Sequence, residues 1–173
     1  MRYALVYGGI AGAFIIATAS VVVTLDLPSH FETPWFGYLV MLVALSLIFV
    51  GVKRYRDIEC GGIIRFGRAF GLGLAMALVA AAVYIAGWEI FLALSGDDFI
   101  GEFSAQHLEA LRAGGASADE IARAQAEMAW VVDNYPNPLF RIPLTFAEIF
   151  PVGLLVAMVS AALLRNPRLL PAR

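Results

Sequence analysis

The chain has 173 residues, of which 61% are hydrophobic and only 15% are charged, with a formal net charge of -2. A soluble domain carries nearer a quarter charged residues, so this composition argues against a soluble protein and favours a polytopic membrane protein. The single cysteine, Cys60, excludes an intrachain disulfide, and two histidines are too few for an ordinary histidine-based zinc site. We therefore expect no bound metal and no cofactor.

The first predicted membrane span covers residues 3–25, which carry no charge. One crossing takes about 20 apolar residues, so this run is long enough. A signal peptide is the competing interpretation, with Arg2 before the apolar run and an A-x-A-like cleavage site at 17–19. The apolar sequence continues to Leu25, farther than a short signal sequence needs, and this favours an uncleaved span.

The second and third predicted spans cover residues 35–52 and 70–94. A short polar turn at 26–34 precedes the second span. Gly61 and Gly62 are expected to interrupt the helix before the third span. Small residues permit close approach between helices where lipid offers no hydrophobic driving force. We predict that small residues of the first and third spans are positions of close helix packing: Gly8, Gly12, Gly71, Gly73, Ala77 and Ala80.

Residues 95–136 form the only sizeable polar segment, which we predict to be a helical hairpin inserted in a single membrane domain, 1–173. Gly114 and Gly115 mark the turn. Ser117 and Glu120 then match the S-x-x-E capping box that starts a second helix. A hairpin packed on itself or on the membrane surface is expected, with a partner-binding lid as the alternative.

The fourth predicted span, 139–164, is apolar yet contains ionisable residues and prolines. Ionisable residues inside a membrane are costly and mark candidate functional sites. Pro151 removes a backbone donor and disfavours a straight helix. Glu89 adds a carboxylate near the outer end of the third span. The candidate intramembrane polar site is Glu89, Arg141, Thr145, Glu148 and Pro151.

Three interpretations of this polar site remain open. The first is a structural ion pair that joins Arg141 to Glu148 or to Glu89. The second is a proton- or cation-linked transport site at Glu148, and the third is a polar patch that recognises a lipid headgroup or a partner helix.

The distribution of charge predicts the orientation of the chain. Nine of the twelve basic residues fall at the two ends or between residues 53 and 68, and the other three are Arg112, Arg123 and Arg141. The positive-inside rule then places both termini in the cytoplasm and the hairpin outside it.

A basic cluster follows the second span and serves as the topology signal and as a binder of anionic lipid headgroups. Its members are Lys53, Arg54, Arg56, Arg65 and Arg68. Nucleic acid binding is not expected. The sequence contains no Gly-rich phosphate loop, no H-E-x-x-H motif, no G-x-S-x-G motif and no paired cysteines, so enzymatic activity is unsupported.

Several runs of this sequence resemble a bacterial family of small four-span membrane proteins of unknown function. They are GYLVMLVALSLIFVGVKRYRD at 37–57, GGIIRFGRAFGLGL at 61–74, YIAGWEIF at 84–91, GASADEI at 115–121 and NPLFRIPLTFAEIFPVGLLVAMVSAALLR at 137–165. The resemblance covers nearly the whole chain and implies a bacterial inner-membrane protein. It implies no reaction, ligand or catalytic residue.

The sequence therefore predicts an all-α membrane protein with four transmembrane helices and an extracytoplasmic helical hairpin between the third and fourth. The predicted function is a non-enzymatic scaffold or subunit of the bacterial cell envelope, in contact with the bilayer and with a second copy or another membrane protein. The alternative is a small oligomeric transporter or channel that uses an intramembrane carboxylate.

Overall fold

Every regular element in the described part of the chain is a helix. The computed structural model describes residues 1–25, 34–95 and 99–171, so the predicted polar turn at 26–34 lies outside this description except for Pro34. A π-helical turn, Ala4–Gly8, continues into the first α-helix. The helices are α1 (Gly9–Thr24), α2 (Pro34–Leu45), α3 (Leu47–Glu59), α4 (Phe66–Ser95), α5 (Phe99–Ala113), α6 (Ala118–Asn134) and α7 (Pro138–Leu164).

Among the described residues, four helical segments are long and apolar enough to cross a membrane: Ala4–Thr24, Trp35–Glu59, Phe66–Ser95 and Pro138–Leu164. Helices satisfy every backbone hydrogen bond within the segment, which the hydrocarbon core requires because it offers no water. The prediction of an all-α protein with four such helices is confirmed. The chain is an integral, multi-pass membrane protein.

Two helix boundaries depend on side chains and glycines. Between α2 and α3, the Ser46 hydroxyl donates a 2.6 Å hydrogen bond to the Val43 carbonyl, which replaces a regular helical contact at this point. α3 ends where Gly61 and Gly62 adopt positive φ angles of 60° and 85°. A positive φ is readily adopted only by glycine, so the predicted break at Gly61 and Gly62 is confirmed.

The contacts divide the chain into two units. The first consists of Met1–Ile90 and Phe146–Arg173, and the second of Phe91–Thr145. In the second unit, α5 and α6 contact each other across a turn in which Gly115 has a φ of 78°. The predicted capping box is present: the backbone N–H of Glu120 donates to the Ser117 hydroxyl, and the Ser117 N–H donates to the Glu120 carboxylate.

Small side chains bring the helices of the first unit close together. A Cβ atom added at Gly12 would lie 2.5 Å from the Ala80 carbonyl oxygen, and one added at Gly153 would lie 2.8 Å from the Ala77 Cβ. Gly73 faces Ala157 in the same way, with 3.0 Å to its Cβ. Backbone-to-backbone contact at such positions is the usual basis of helix association in lipid. The packing role predicted for the small residues is confirmed at Gly12, Gly73 and Ala80.

Candidate functional site

The five residues predicted to form an intramembrane polar site are divided between two helices and two units. Glu89 lies in α4, and the other four lie in α7. Glu89, Glu148 and Pro151 belong to the first unit, whereas Arg141 and Thr145 belong to the second. That these residues act as one site stays a prediction.

Arg141 contacts the residue that ends α6. Its Nη1 donates a 3.0 Å hydrogen bond to the Tyr135 carbonyl oxygen, and its guanidinium lies 5.5 Å from the centre of the Tyr135 ring. The hydroxyl of the buried Thr145 in turn donates to the Arg141 carbonyl at 3.0 Å. A charged donor that caps the last carbonyls of a helix and stacks on an aromatic face stabilises the connection between the two helices. Arg141 therefore orders the junction between α6 and α7.

The same junction is held by two further contacts. The Asn137 side-chain oxygen accepts a 3.0 Å hydrogen bond from the Leu139 N–H, which satisfies one of the unpaired donors at the start of α7. The rings of Trp130 and Phe140 meet edge to face, with centroids 5.0 Å apart. The entry into α7 is thus fixed by local polar and aromatic contacts within the second unit.

Glu148 and Pro151 lie on an exposed face of α7, while Glu89 is half-buried in α4. The Glu148 carboxylate forms no ion pair or hydrogen bond with a described residue of its own unit. Pro151 has no N–H to donate to the Ala147 carbonyl one turn earlier. Glu148 therefore lies next in sequence to a backbone carbonyl, that of Ala147, which lacks its helical hydrogen-bond donor.

Arg56 has a very different environment from the rest of the basic cluster. Its side chain is fully buried, its Nε donates a 2.7 Å hydrogen bond to Asp57, and its Nη1 donates to the Leu169 carbonyl at 3.0 Å. Its Nη2 donates to the Leu170 carbonyl. Leu170 has a left-handed backbone with a φ of 49°, which a residue with a Cβ adopts only at a cost. Arg56 thus anchors the segment after α7 against the end of α3.

The other cations of the cluster differ in whether they contact another side chain. Lys53 forms a 2.6 Å ion pair with Asp57, and Arg68 donates a 2.6 Å hydrogen bond to the Tyr55 hydroxyl while its guanidinium lies 5.3 Å from that ring centre. Arg54 and Arg65 are exposed. Their predicted role in binding lipid headgroups stays a prediction. Among the described residues, neither forms an ion pair or a hydrogen bond, in contrast to Lys53 and Arg68.

Sequence reasoning did not identify a contact between the start of the first span and the end of the second. The Tyr3 hydroxyl donates a 3.1 Å hydrogen bond to a Glu59 oxygen, and the Tyr3 ring meets the Tyr55 ring edge to face at 5.3 Å. The order of the spans could have indicated this contact, because successive spans cross the membrane in opposite directions. The start of the first span and the end of the second then lie at the same surface.

Comparison with protein families finds a match over most of the chain. The sequence model of the family described as "Protein of unknown function (DUF4199)" matches residues 6–166, and this confirms the predicted resemblance to a family of unknown function. No curated protein and no solved structure matches the chain. Within the described residues, no group of three or more histidine, cysteine, aspartate or glutamate side chains is placed to hold a metal ion.

Proposed function

The chain belongs to the DUF4199 family of proteins of unknown function, and from that premise we propose that it is a non-enzymatic subunit or scaffold of the bacterial cell envelope. In this proposal it resides in the inner membrane and binds a second membrane protein or a second copy of itself through α7. The observation that carries the proposal is the position of Glu148, an acidic residue, on an exposed face of a membrane-spanning helix.

Glu148 supports a partner because of what surrounds it. The exposed face of α7 continues from Glu148 through Pro151 to Leu155 and Met158, of which the last two expose 53% and 47% of their surface. These residues follow one another at steps of three, four and three, so they form one stripe on the helix. A carboxylate in such a stripe is costly in lipid, and a donor from a partner helix would satisfy it. The apolar residues beside it would pack against the same partner.

The interior of the first unit favours a static component over a transport path. Its buried residues are largely alanine and aliphatic side chains, with Arg56 in α3 and Ser160 in α7 as buried polar residues among those that the structure describes. Close contacts at Gly12 and Gly153 leave no room even for an added methyl group. An ion path needs polar groups and water along its length. Transport would therefore require an interface between copies, with Glu148 facing it.

That arrangement is the second candidate function, a small oligomeric transporter or channel. The observation that favours it is the same Glu148 side chain, next in sequence to the Ala147 carbonyl freed by Pro151, with Glu89 as a further carboxylate in α4. Intramembrane carboxylates are recurrent elements of proton and cation pathways.

Copurification tests the subunit proposal. The full chain carrying a photo-crosslinking residue at Leu155 is irradiated in native membranes and purified by an affinity tag. We expect a discrete cross-linked species, either a dimer or a complex with another membrane protein. Glu148→Gln should reduce its yield severalfold. The matched control is Glu109→Gln, the same chemical change at an exposed position in α5. Purification of the chain with lipid alone would contradict the proposal.

Flux measurement tests the alternative. The purified chain is reconstituted into vesicles, and proton and cation fluxes are measured with and without a membrane potential. Flux that Glu148→Gln abolishes, and that Glu109→Gln leaves intact, would establish the transporter. Absence of flux, or flux that ignores Glu148→Gln, removes the carboxylate transport hypothesis.

The proposed orientation, with both termini cytoplasmic, has its own test. Cys60 is the only cysteine, so it labels one side of the membrane without further mutation. In spheroplasts, a membrane-impermeant maleimide should leave Cys60 unlabelled and should label Ala113→Cys in a Cys60→Ser background. Permeabilised cells provide the control for reactivity. The opposite labelling pattern would invert the topology.

A further inference from the structure

A cavity of about 330 Å³ opens where the first span begins and the second ends. Its charged wall consists of Arg2, Arg54 and Glu59, and its apolar wall includes Val6 and Ile58. The volume falls within the range of about 300–1,000 Å³ that is common for small-molecule sites. Nothing in the family description assigns a ligand to this cavity.

The charges of the cavity favour an anion. Glu59 already accepts a hydrogen bond from Tyr3, at 3.1 Å. Arg2 and Arg54 are exposed, and neither forms an ion pair or a hydrogen bond within the parts of the chain that the structure describes. Two guanidinium groups therefore face a space that contains one carboxylate, and that carboxylate is engaged by a tyrosine. Arginine presents its donors as a planar fork that matches phosphate oxygens.

The position of the cavity favours a lipid over a soluble anion. Arg2 precedes the first span, and Glu59 is the last residue of the second, so the charged wall lies at one surface of the membrane. Val6 and Ile58 belong to the spans and expose 48% and 61% of their surface. An arginine pair at the level of the headgroups, beside exposed aliphatic side chains of the spans, matches both parts of a phospholipid.

The wall beside the arginines is held in place by aromatic contacts. The Tyr3 ring stacks on Tyr7 with centroids 6.3 Å apart and meets Tyr55 edge to face. Arg68 donates a hydrogen bond to the Tyr55 hydroxyl and lies over its ring. A site whose walls are fixed before binding loses less entropy when the ligand arrives.

From these observations we infer that the cavity binds the headgroup phosphate of an anionic phospholipid, with Arg2 and Arg54 as its donors. This assignment is independent of the proposed function, which concerns α7. It also distinguishes Arg54 from Lys53, Arg56 and Arg68, because those three are engaged with other parts of the protein.

Native mass spectrometry of the full chain in detergent tests this assignment. Phosphatidylglycerol and phosphatidylcholine are titrated separately, and bound lipid is counted for each variant. Hydrogen bonds to charged groups are strong enough that Arg2→Gln and Arg54→Gln should each weaken phosphatidylglycerol binding by about tenfold or more. The matched control is Arg165→Gln, an exposed cation just after α7 that does not line the cavity. It should change binding less than about twofold, as expected for a screened surface charge.

Three further results complete the test. Glu59→Gln removes the carboxylate that the described residues contribute to the cavity wall and should strengthen phosphatidylglycerol binding. Glycerol 3-phosphate, added in competition, should not displace the lipid at equal concentration; if it does, the site recognises a soluble phosphate. Equal binding of the two lipids, or equal losses for Arg54→Gln and Arg165→Gln, would overturn the assignment. If Arg54→Gln is not monodisperse, Arg54→Lys takes its place, because lysine keeps the charge but lacks the planar guanidinium. This variant should lose part of the phosphatidylglycerol affinity.

Discussion

Replacement of Gly12 by alanine should destabilise the first unit, because α1 and α4 meet there backbone to backbone. The added Cβ would lie 2.5 Å from the Ala80 carbonyl oxygen and 2.9 Å from the Val83 Cβ. Neither neighbour is the flexible end of a side chain, so one helix must shift. Overpacking of this kind costs about 1–3 kcal/mol in the free energy of unfolding.

Gly9→Ala is the matched control for this substitution. A Cβ at Gly9 meets no atom within 4 Å, and the residue lies in the same helix less than one turn away. Alanine is a better helix former than glycine by about 0.8–1.0 kcal/mol, and this gain applies to both variants. The difference between them therefore isolates the packing cost, which we expect to be about 1–3 kcal/mol in favour of Gly9→Ala.

The assay is reversible unfolding of the purified protein in mixed micelles, in which the fraction of sodium dodecyl sulfate is increased and helicity is followed by circular dichroism. Thermal aggregation of the detergent-solubilised chain gives an independent ranking of the two variants. If Gly12→Ala and Gly9→Ala unfold within about 0.5 kcal/mol of each other, which is the range of neutral surface changes, the reasoning from close packing is wrong.

Two further predictions concern Arg56 and the capping box. Arg56→Gln should release the segment after α7, because two carbonyls lose their charged donor, so trypsin should cleave after Arg168 severalfold faster than in the Arg54→Gln control. Cleavage that is equally fast in both variants would contradict the anchoring role. Hydrogen bonds from the Ser117 N–H and hydroxyl lower the pKa of Glu120 below its ordinary value of 4.5. The ionised carboxylate therefore stabilises α6 above pH 4.5, and this stabilisation disappears as the pH falls through the lowered pKa. Hydrogen exchange at the start of α6 should accelerate, relative to the intrinsic rate, as the pH falls through this window. Glu120→Gln should remove this pH dependence. If the variant keeps the same pH profile, Glu120 is not the group whose protonation destabilises α6.

The sequence alone predicted the class of protein and the number of spans. Hydropathy is a local property, and a bilayer accepts long apolar runs only as helices, so four such runs were sufficient evidence. The breaks at Gly61, Gly62 and Gly115 were also predictable, because turns that need a positive φ select glycine. The capping box at Ser117 and Glu120 could be read from four consecutive residues.

The environment of each charge was not predictable in the same way. Arg54 and Arg56 are two residues apart and chemically identical, yet one is exposed and the other is fully buried. The difference arises because Arg56 meets the carbonyls of Leu169 and Leu170, which are more than a hundred positions away in the chain. No local pattern encodes such a partner.

The sequence by itself therefore determined what crosses the membrane, where the helices break and which residues carry charge into the bilayer. Only the tertiary structure decided which of those charges are satisfied within the protein. It anchored Arg56 to the end of the chain, joined Tyr3 to Glu59, and left Glu148 on an exposed face of α7. The physical reason is range: backbone geometry and hydropathy act over one or two helical turns, whereas the partners of a charge are set by the packing of helices distant in sequence.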